Sequence, residues 1–151
     1  MIFSKSFGYA VRGVLYIVAN QKENELVQAE SIAVALGVPR FFMGKVLKIL
    51  VKGGVLSSSK GPSGGFAIND RTMNLTLMQL ATNTNTIPDM KKCALQLRDC
   101  NGNNPCPLHF KMEVIRKEME NLLSETTIKD LLSADKDALL RSISSTGEDK
   151  Y

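Results

Sequence analysis

The sequence predicts a mainly α-helical fold with one small β-hairpin: a winged helix-turn-helix domain followed by a long C-terminal dimerisation helix. Three observations carry that prediction. The thirty-nine residues between Glu30 and Asp70 contain no acidic side chain but include Arg40, Lys45, Lys48, Lys52 and Lys60. Within that stretch a short helix, the turn Gly37-Val38-Pro39, a lysine-rich second helix and a glycine-rich hairpin follow one another. Further on, Leu108, Met112, Ile115, Met119 and Leu122 are spaced four, three, four and three residues apart, an apolar a/d seam over two heptads.

Over residues 6–20, Phe7, Val11, Val14, Leu15 and Val18 recur at helical spacing, which predicts an opening amphipathic helix ended by the polar stretch Asn20 to Glu25. A second helix is expected at 29–36, with Ile32, Ala33 and Leu36 inward. Gly37 supplies its left-handed C-terminal turn, and Pro39 suits the first turn of the next helix. That third helix, 39–53, has two chemically opposite faces. At 100° per residue, Phe41, Lys45, Lys48 and Lys52 fall within about 60° of one another, while Met43, Val46, Leu47 and Leu50 lie roughly opposite. A solvated lysine face on an ordinary surface helix would give the same pattern. The place of this helix after a three-residue turn, without acids at i±4 to neutralise it, favours a recognition helix.

Val55 to Ser58 and Gly65 to Ile68 are short strand candidates, joined by Ser59-Lys60-Gly61-Pro62-Ser63-Gly64. The loop lacks the Lys-Ser/Thr of a nucleotide-binding glycine loop and opens no helix, so its backbone amides suit a DNA backbone better than a nucleotide. A fourth helix is expected at 76–84, with Leu77, Leu80 and Ala81 inward, after which the pattern breaks up through 85–105. A long helix follows over 107–124 and carries the apolar seam. The seam serves either self-association or packing onto its own domain; the winged domain has a core without it, which favours self-association. Short helices at 126–132 and 135–143 make a return, and 144–151 is a frayed tail.

A chain of 151 residues with 44% apolar composition can bury one core plus an appended helix. The expected organisation is a winged helix-turn-helix DNA-binding domain at 1–84, a cysteine-containing sensor loop at 85–107, the dimerisation helix with its helical return at 108–143, and the tail at 144–151. Charge is divided unevenly: nine bases against four acids before residue 81, ten against eleven from there on, for a net +4. The polyanion-binding surface therefore belongs to the first half. No apolar run reaches eighteen residues, and the start Met1-Ile2-Phe3-Ser4-Lys5 lacks a signal-peptide pattern, so a cytoplasmic protein without a membrane partner is expected.

The three cysteines, Cys93, Cys100 and Cys106, are separated by six and five residues. In a reducing compartment, clustered thiols bind metal or sense redox state more often than they form structural disulfides. This spacing is unlike the C-x-x-C knuckles of structural zinc sites and suits a group wrapped by a loop. Cys106 precedes Pro107 and is expected at the N-cap of the long helix, where the helix dipole favours thiolate. His109, the one histidine of the chain, lies three residues later on the same helical face. Three thiolates and one imidazole complete a four-ligand set for a 2Fe-2S cluster or for zinc, and spacing alone does not choose between them. An enzyme is not expected, because there is no C-x-x-C pair, no paired carboxylates near a plausible pocket, and no histidine beyond the ligand candidate.

These residues together resemble the Rrf-type winged-helix transcriptional regulators, the family of IscR, NsrR and CymR, and most resemble its cysteine-containing, iron–sulfur-binding members. The likeness rests on Tyr9-Ala10-Val11, on the run from Val38 to Leu56, on the wing Lys60-Gly61-Pro62-Ser63-Gly64-Gly65-Phe66, and on Cys106-Pro107-Leu108-His109. It implies a homodimer joined by the long helix, with the third helix in a major groove, the wing at the adjacent minor groove, and a 2Fe-2S cluster in the loop before the dimer helix. Lys60 stands where the family often has Arg. Gly8 replaces the aspartate that NsrR-like members use as a ligand from the partner subunit, which leaves His109, at the position of IscR's histidine, as the fourth ligand.

The expected function is a dimeric regulator binding a palindromic double-stranded operator, its affinity set by a 2Fe-2S cluster on Cys93, Cys100, Cys106 and His109. The DNA-contacting set comprises Ser4, Lys5, Arg40, Phe41, Lys45, Lys48, Lys52, Lys60, Gly61, Ser63 and Gly64, with the lysines on phosphates and Arg40 and Phe41 nearest the bases. Leu108, Met112, Ile115, Met119 and Leu122 form the dimer interface. The alternatives are a winged-helix repressor with zinc or no metal and no redox sensing, and a thiol redox enzyme or electron carrier.

Overall fold

The first helix begins where a hydroxyl stops it from fraying: the Ser4 side chain accepts the Phe7 N–H at 3.2 Å and caps α1 (Lys5–Asn20). The computed structural model describes residues 3–23, 25–132 and 135–144, so the tail expected at 144–151 lies, beyond Ser144, outside the described residues. Phe7, Ala10, Val14, Leu15 and Ile17 of α1 are buried, together with Ile32, Ala33 and Leu36 of α2 (Ala29–Leu36) and Met43, Val46, Leu47 and Leu50 of α3 (Arg40–Lys52). Fully burying a Leu, Ile or Met contributes about 1.5–3 kcal/mol, so these faces fix how the three helices pack. Gly37 ends α2 in the left-handed region at φ 62°, where it lacks the Cβ that would clash. Pro39 is still extended, at φ −55° and ψ 129°, so α3 opens at Arg40 and Pro39 is its N-cap rather than part of its first turn.

The hairpin is shifted outward from its expected place. Val55 and Leu56 are consecutive and both buried, which a strand with alternating faces cannot achieve; they plug the core, and pairing starts beyond them. β1 (Ser57–Ser59) runs antiparallel to β2 (Gly65–Ala67), with Ser57 opposite Ala67, Ser58 opposite Phe66 and Ser59 opposite Gly65. Val27 exchanges two 2.8 Å backbone hydrogen bonds with Phe66, which pins the hairpin to the chain entering α2. This approach requires a glycine beside it: a Cβ on Gly65 would stand 2.7 Å from the Val27 carbonyl oxygen.

After the hairpin, a short 3-10 turn at Thr72–Asn74 leads to α4 (Leu77–Asn83), whose start is closed by a reciprocal capping box between Thr76 and Gln79. The segment read as irregular contains one more short helix, α5 (Ile87–Met90). α6 (His109–Glu125), α7 (Ile128–Leu132) and α8 (Lys136–Ile143) follow among the described residues. They fold back onto the first half: Leu77 N–H donates to Thr126 O at 2.9 Å and Ile128 N–H to Leu75 O at 3.0 Å, and Leu123, Ile128 and Ile143 join the same core. Among the described residues no helix is long and apolar enough to cross a membrane.

This return divides the expected seam on α6. Leu108, Ile115 and Leu122, seven residues apart, are 38%, 52% and 60% exposed. Met112 and Met119 are half-buried, with Met119 against the core beside the buried Leu123. The outward line is thus narrower than an a/d pair, and Phe110 and Val114 extend the exposed apolar surface on its flank.

Thr72 is fully buried, and its hydroxyl donates to Val55 O at 2.7 Å while accepting the Asn69 N–H at 2.9 Å. Thr72→Val keeps the shape and deletes both bonds. The expected outcome is a loss of about 1–3 kcal/mol in urea unfolding with an unchanged denaturant slope.

Candidate nucleic-acid interface and metal centre

With its inner face packed, α3 presents Phe41, Lys45, Lys48 and Lys52 to solvent, as the helical spacing predicts. The Lys45 ammonium lies 4.3 Å from the centroid of the Phe41 ring, and Phe42 meets the same ring edge-on at 5.8 Å. Arg40 makes a 3.3 Å ion pair with Glu30 of α2, both side chains well exposed, an arrangement that contributes little to stability but does orient the guanidinium. Lys60, Gly61 and Ser63 are exposed at the hairpin tip, where Gly64 N–H closes a turn onto Gly61 O at 2.9 Å with Gly61 at φ 107°. Beside them, Gln28 Nε2 donates to Pro62 O at 3.5 Å, a second tie between the wing and the start of α2. Lys5 is exposed, whereas Ser4 is turned inward: besides capping α1, its hydroxyl pairs with Thr86 Oγ1 at 2.7 Å. Phe42, 53% exposed, belongs to this surface and was not among the expected contacts; its place beside Phe41 at the helix start was the available signal.

The cysteine loop is organised by asparagines. Asn101 Oδ1 accepts the N–H groups of Asn103 and Asn104 at 2.9 and 3.0 Å, and the Asn101 and Asn104 amide nitrogens both donate to Asp99 O. The reversal brings Cys106 back onto Cys100. On the other side, Cys93 O accepts the Gln96 N–H at 2.9 Å and Arg116 of α6 donates to Lys92 O, tying the loop entrance to the long helix. Neither the Asn101–Asn104 turn nor Arg116 was singled out in the sequence. The N-x-x-N spacing was legible as a side-chain-stapled turn, but Arg116 looks like any surface arginine of a helix.

As a result, all three thiol sulfurs lie within 4.8 Å of one another. The contacts fall into two pairs: Cys93 Sγ to Cys106 Sγ at 3.8 Å, and Cys100 Sγ to His109 Nδ1 at 3.2 Å. The expected N-cap position of Cys106 does not hold. Pro107 and Leu108 form a preliminary turn closed by His109 N–H to Cys106 O at 2.9 Å; Leu108 is the N-cap and His109 the first helical residue. The thiol drawn down is instead Cys93, to about 7, chiefly by the Leu97 backbone N–H, with the Leu95 N–H and the two other thiols adding to it against desolvation. Cys100 moves the other way. The Cys106 N–H favours its thiolate, but desolvation and the Cys106 and Cys93 sulfurs outweigh that and raise it.

This donor set fits a metal group. Two thiolates sharing one tetrahedral ion at bonds of about 2.3 Å sit about 3.8 Å apart, which is the Cys93 to Cys106 separation. All three cysteines are free and half-exposed, within reach of an incoming ion. A groove of about 920 Å³ opens next to them, with Cys93, Cys100, Met112, Ile115, Arg116 and Met119 among its walls.

Comparison with known proteins places the chain. Residues 3–134 match the Rrf2 family, described as iron-dependent transcriptional regulators. A protein of Aquifex aeolicus (strain VF5) named as an HTH-type transcriptional regulator is 33% identical over 135 residues, covering 88% of this chain and 92% of that one. Among solved structures, CymR of B. subtilis, titled the global cysteine regulator, superposes with a TM-score of 0.65 at 18% identity, over 86% of this chain and 95% of that one. IscR of T. potens gives 0.64 at 19% identity, over 89% and 88%. These likenesses establish the winged-helix fold, and the relatives are regulators rather than enzymes. The chain belongs to the Rrf2 family of transcriptional regulators.

Proposed function

We propose that this regulator binds palindromic duplex DNA as a homodimer and that a 2Fe-2S cluster held by Cys93, Cys100, Cys106 and His109 modulates that binding in the cytoplasm. The observation that carries the reading is the convergence of three thiols and one imidazole in two close pairs. Bound there, such a cluster supplies a redox-active centre whose potential depends on its ligands and exposure. The residues around it link the site to the rest of the fold. His109 is the first residue of α6, Leu108 caps that helix and begins its outward apolar line, and Arg116 holds the loop entrance. Ligation that joins Cys93 to His109 orders the loop against α6, and it shifts the pairing of two such helices by as much as it stabilises one arrangement over the other.

On the DNA side, Lys45, Lys48, Lys52 and Lys60 act on phosphates and give affinity with a steep salt dependence, while the start of α3 faces the bases. Two-fold pairing through Leu108, Ile115 and Leu122 places the half-sites about one helical turn apart.

Anaerobic purification with iron, sulfide and zinc analysis tests the metal centre. Visible absorption with two irons and two sulfides per protomer is expected, and colourless protein carrying one zinc would replace the cluster reading while leaving the DNA reading in place. Cys106→Ala is expected to lose the metal yet elute as a folded dimer, since Cys106 is only half-buried; aggregation would make the thiol a packing residue instead. Lys48→Ala is expected to weaken binding to all duplexes about evenly and to flatten the plot of log affinity against log salt by about one unit. An effect confined to one sequence would contradict the phosphate assignment.

A further inference from the structure

The start of α3 carries two rings that the fold itself does not need. Phe41 and Phe42 are 67% and 53% exposed, while Met43, Val46, Leu47 and Leu50 already fill the space beneath the helix. The exposed rings are nevertheless held in place: Lys45 lies over one face of Phe41 at 4.3 Å, and Phe42 meets it edge-on at an interplanar angle of 70°. Such contacts reduce the ordering cost of engaging a partner. Beside them, a Cβ at Gly44 would meet nothing within 4 Å apart from its chain neighbours and its own helix backbone. Packing therefore does not call for a glycine there, although one weakens a helix relative to alanine, and its absent side chain leaves room for another molecule to approach the helix backbone.

The chemistry available for reading bases is correspondingly narrow. Residues 40–49 contain no Asn, Gln, Ser, Thr, Asp or Glu, so the usual bidentate reader of adenine and the acidic reader of cytosine are missing. Of the side chains at the helix start suited to guanine, Arg40 is paired with Glu30 and Lys45 lies over the Phe41 ring. What remains at the tip is an apolar ring flanked by lysines, in a stretch with no acidic residue from 31 to 69. That surround selects a polyanion over a protein surface as the partner. The one apolar feature of base edges in the major groove is the thymine C5-methyl group, and phenylalanine is among the side chains that meet it.

We infer that Phe41, fixed by Phe42 and Lys45, reads thymine methyl groups, so that the start of α3 specifies its half-site through T·A pairs. This inference rests on the DNA-binding reading above and adds the base chemistry that the operator must carry.

The test starts from the tightest duplex that the full-length protein selects from a random-sequence pool. In that duplex each thymine is replaced singly by 2′-deoxyuridine, which removes the methyl and preserves every hydrogen-bonding group. By fluorescence anisotropy at fixed salt, the wild type is expected to bind about tenfold more weakly when one or two particular thymines in each half-site are replaced, the scale of one lost base contact. Phe41→Ala is expected to bind the thymine duplex about as weakly as the wild type binds the deoxyuridine one and to respond no further to the replacement, while Phe41→Leu, which keeps apolar bulk, retains part of the response. A wild type indifferent to every replacement, or a Phe41→Ala protein that still distinguishes thymine from deoxyuridine, overturns the inference and leaves the DNA-binding reading standing. Failure to enrich any duplex overturns both.

Discussion

The burial of Met43, Val46, Leu47 and Leu50 on one side of α3 is the constraint on which the rest of the molecule turns. Four residues at helical spacing, each 4% exposed or less, leave the helix no freedom to rotate. Its opposite side must then present Phe41, Lys45, Lys48 and Lys52 together. α1 and α2 complete the socket from behind, and Val55 and Leu56 close it where the helix ends, so the hairpin emerges at a fixed place beside the cationic face. The sharp division between the wet and dry sides of one thirteen-residue helix thus sets where the cationic surface lies.

A second constraint joins that face to the cysteines. The C-terminal half of α6 and the helices after it do not stand apart: Leu123, Ile128 and Ile143 share the core with α1 and α3. The N-terminal half of α6 begins at His109, and the loop of thiols is fastened to it through Arg116 and Lys92 O. One stiff helix therefore has its start in the candidate metal centre and its end in the core beneath α3. A rearrangement at the cysteines has a short, continuous route along α6 to the core.

Most of the helical plan was legible because amphipathic spacing and burial agree: the apolar positions of α1, α2 and α3 read from the sequence are, with few exceptions, the buried ones. The errors have a common physical source. Proline suits the first turn of a helix, but its fixed φ equally suits the positions just before one: Pro39 is the N-cap of α3, and Pro107 lies in the turn ahead of the cap Leu108. The seam on α6 was read as one stripe, but a four-three spacing does not record which side of it the chain's own core will claim, and Leu123 and Met119 are claimed. The thiols were legible as a cluster from composition and spacing. The agents that gather them were not, since an asparagine-stapled turn and a single arginine on α6 acquire their roles only from the path of the loop.

The packing of α8 against α1 has a consequence for how the polypeptide comes into being. Ile143 joins the core that α1 enters, so during synthesis the part of α1 that meets α8 has no partner until the chain has passed residue 136. Contacts this distant in sequence slow folding, because their loop must close before they repay it. Folding therefore leaves that part of α1 open for a time to chaperones or to another nascent copy, and a chain lacking α8 would keep it open.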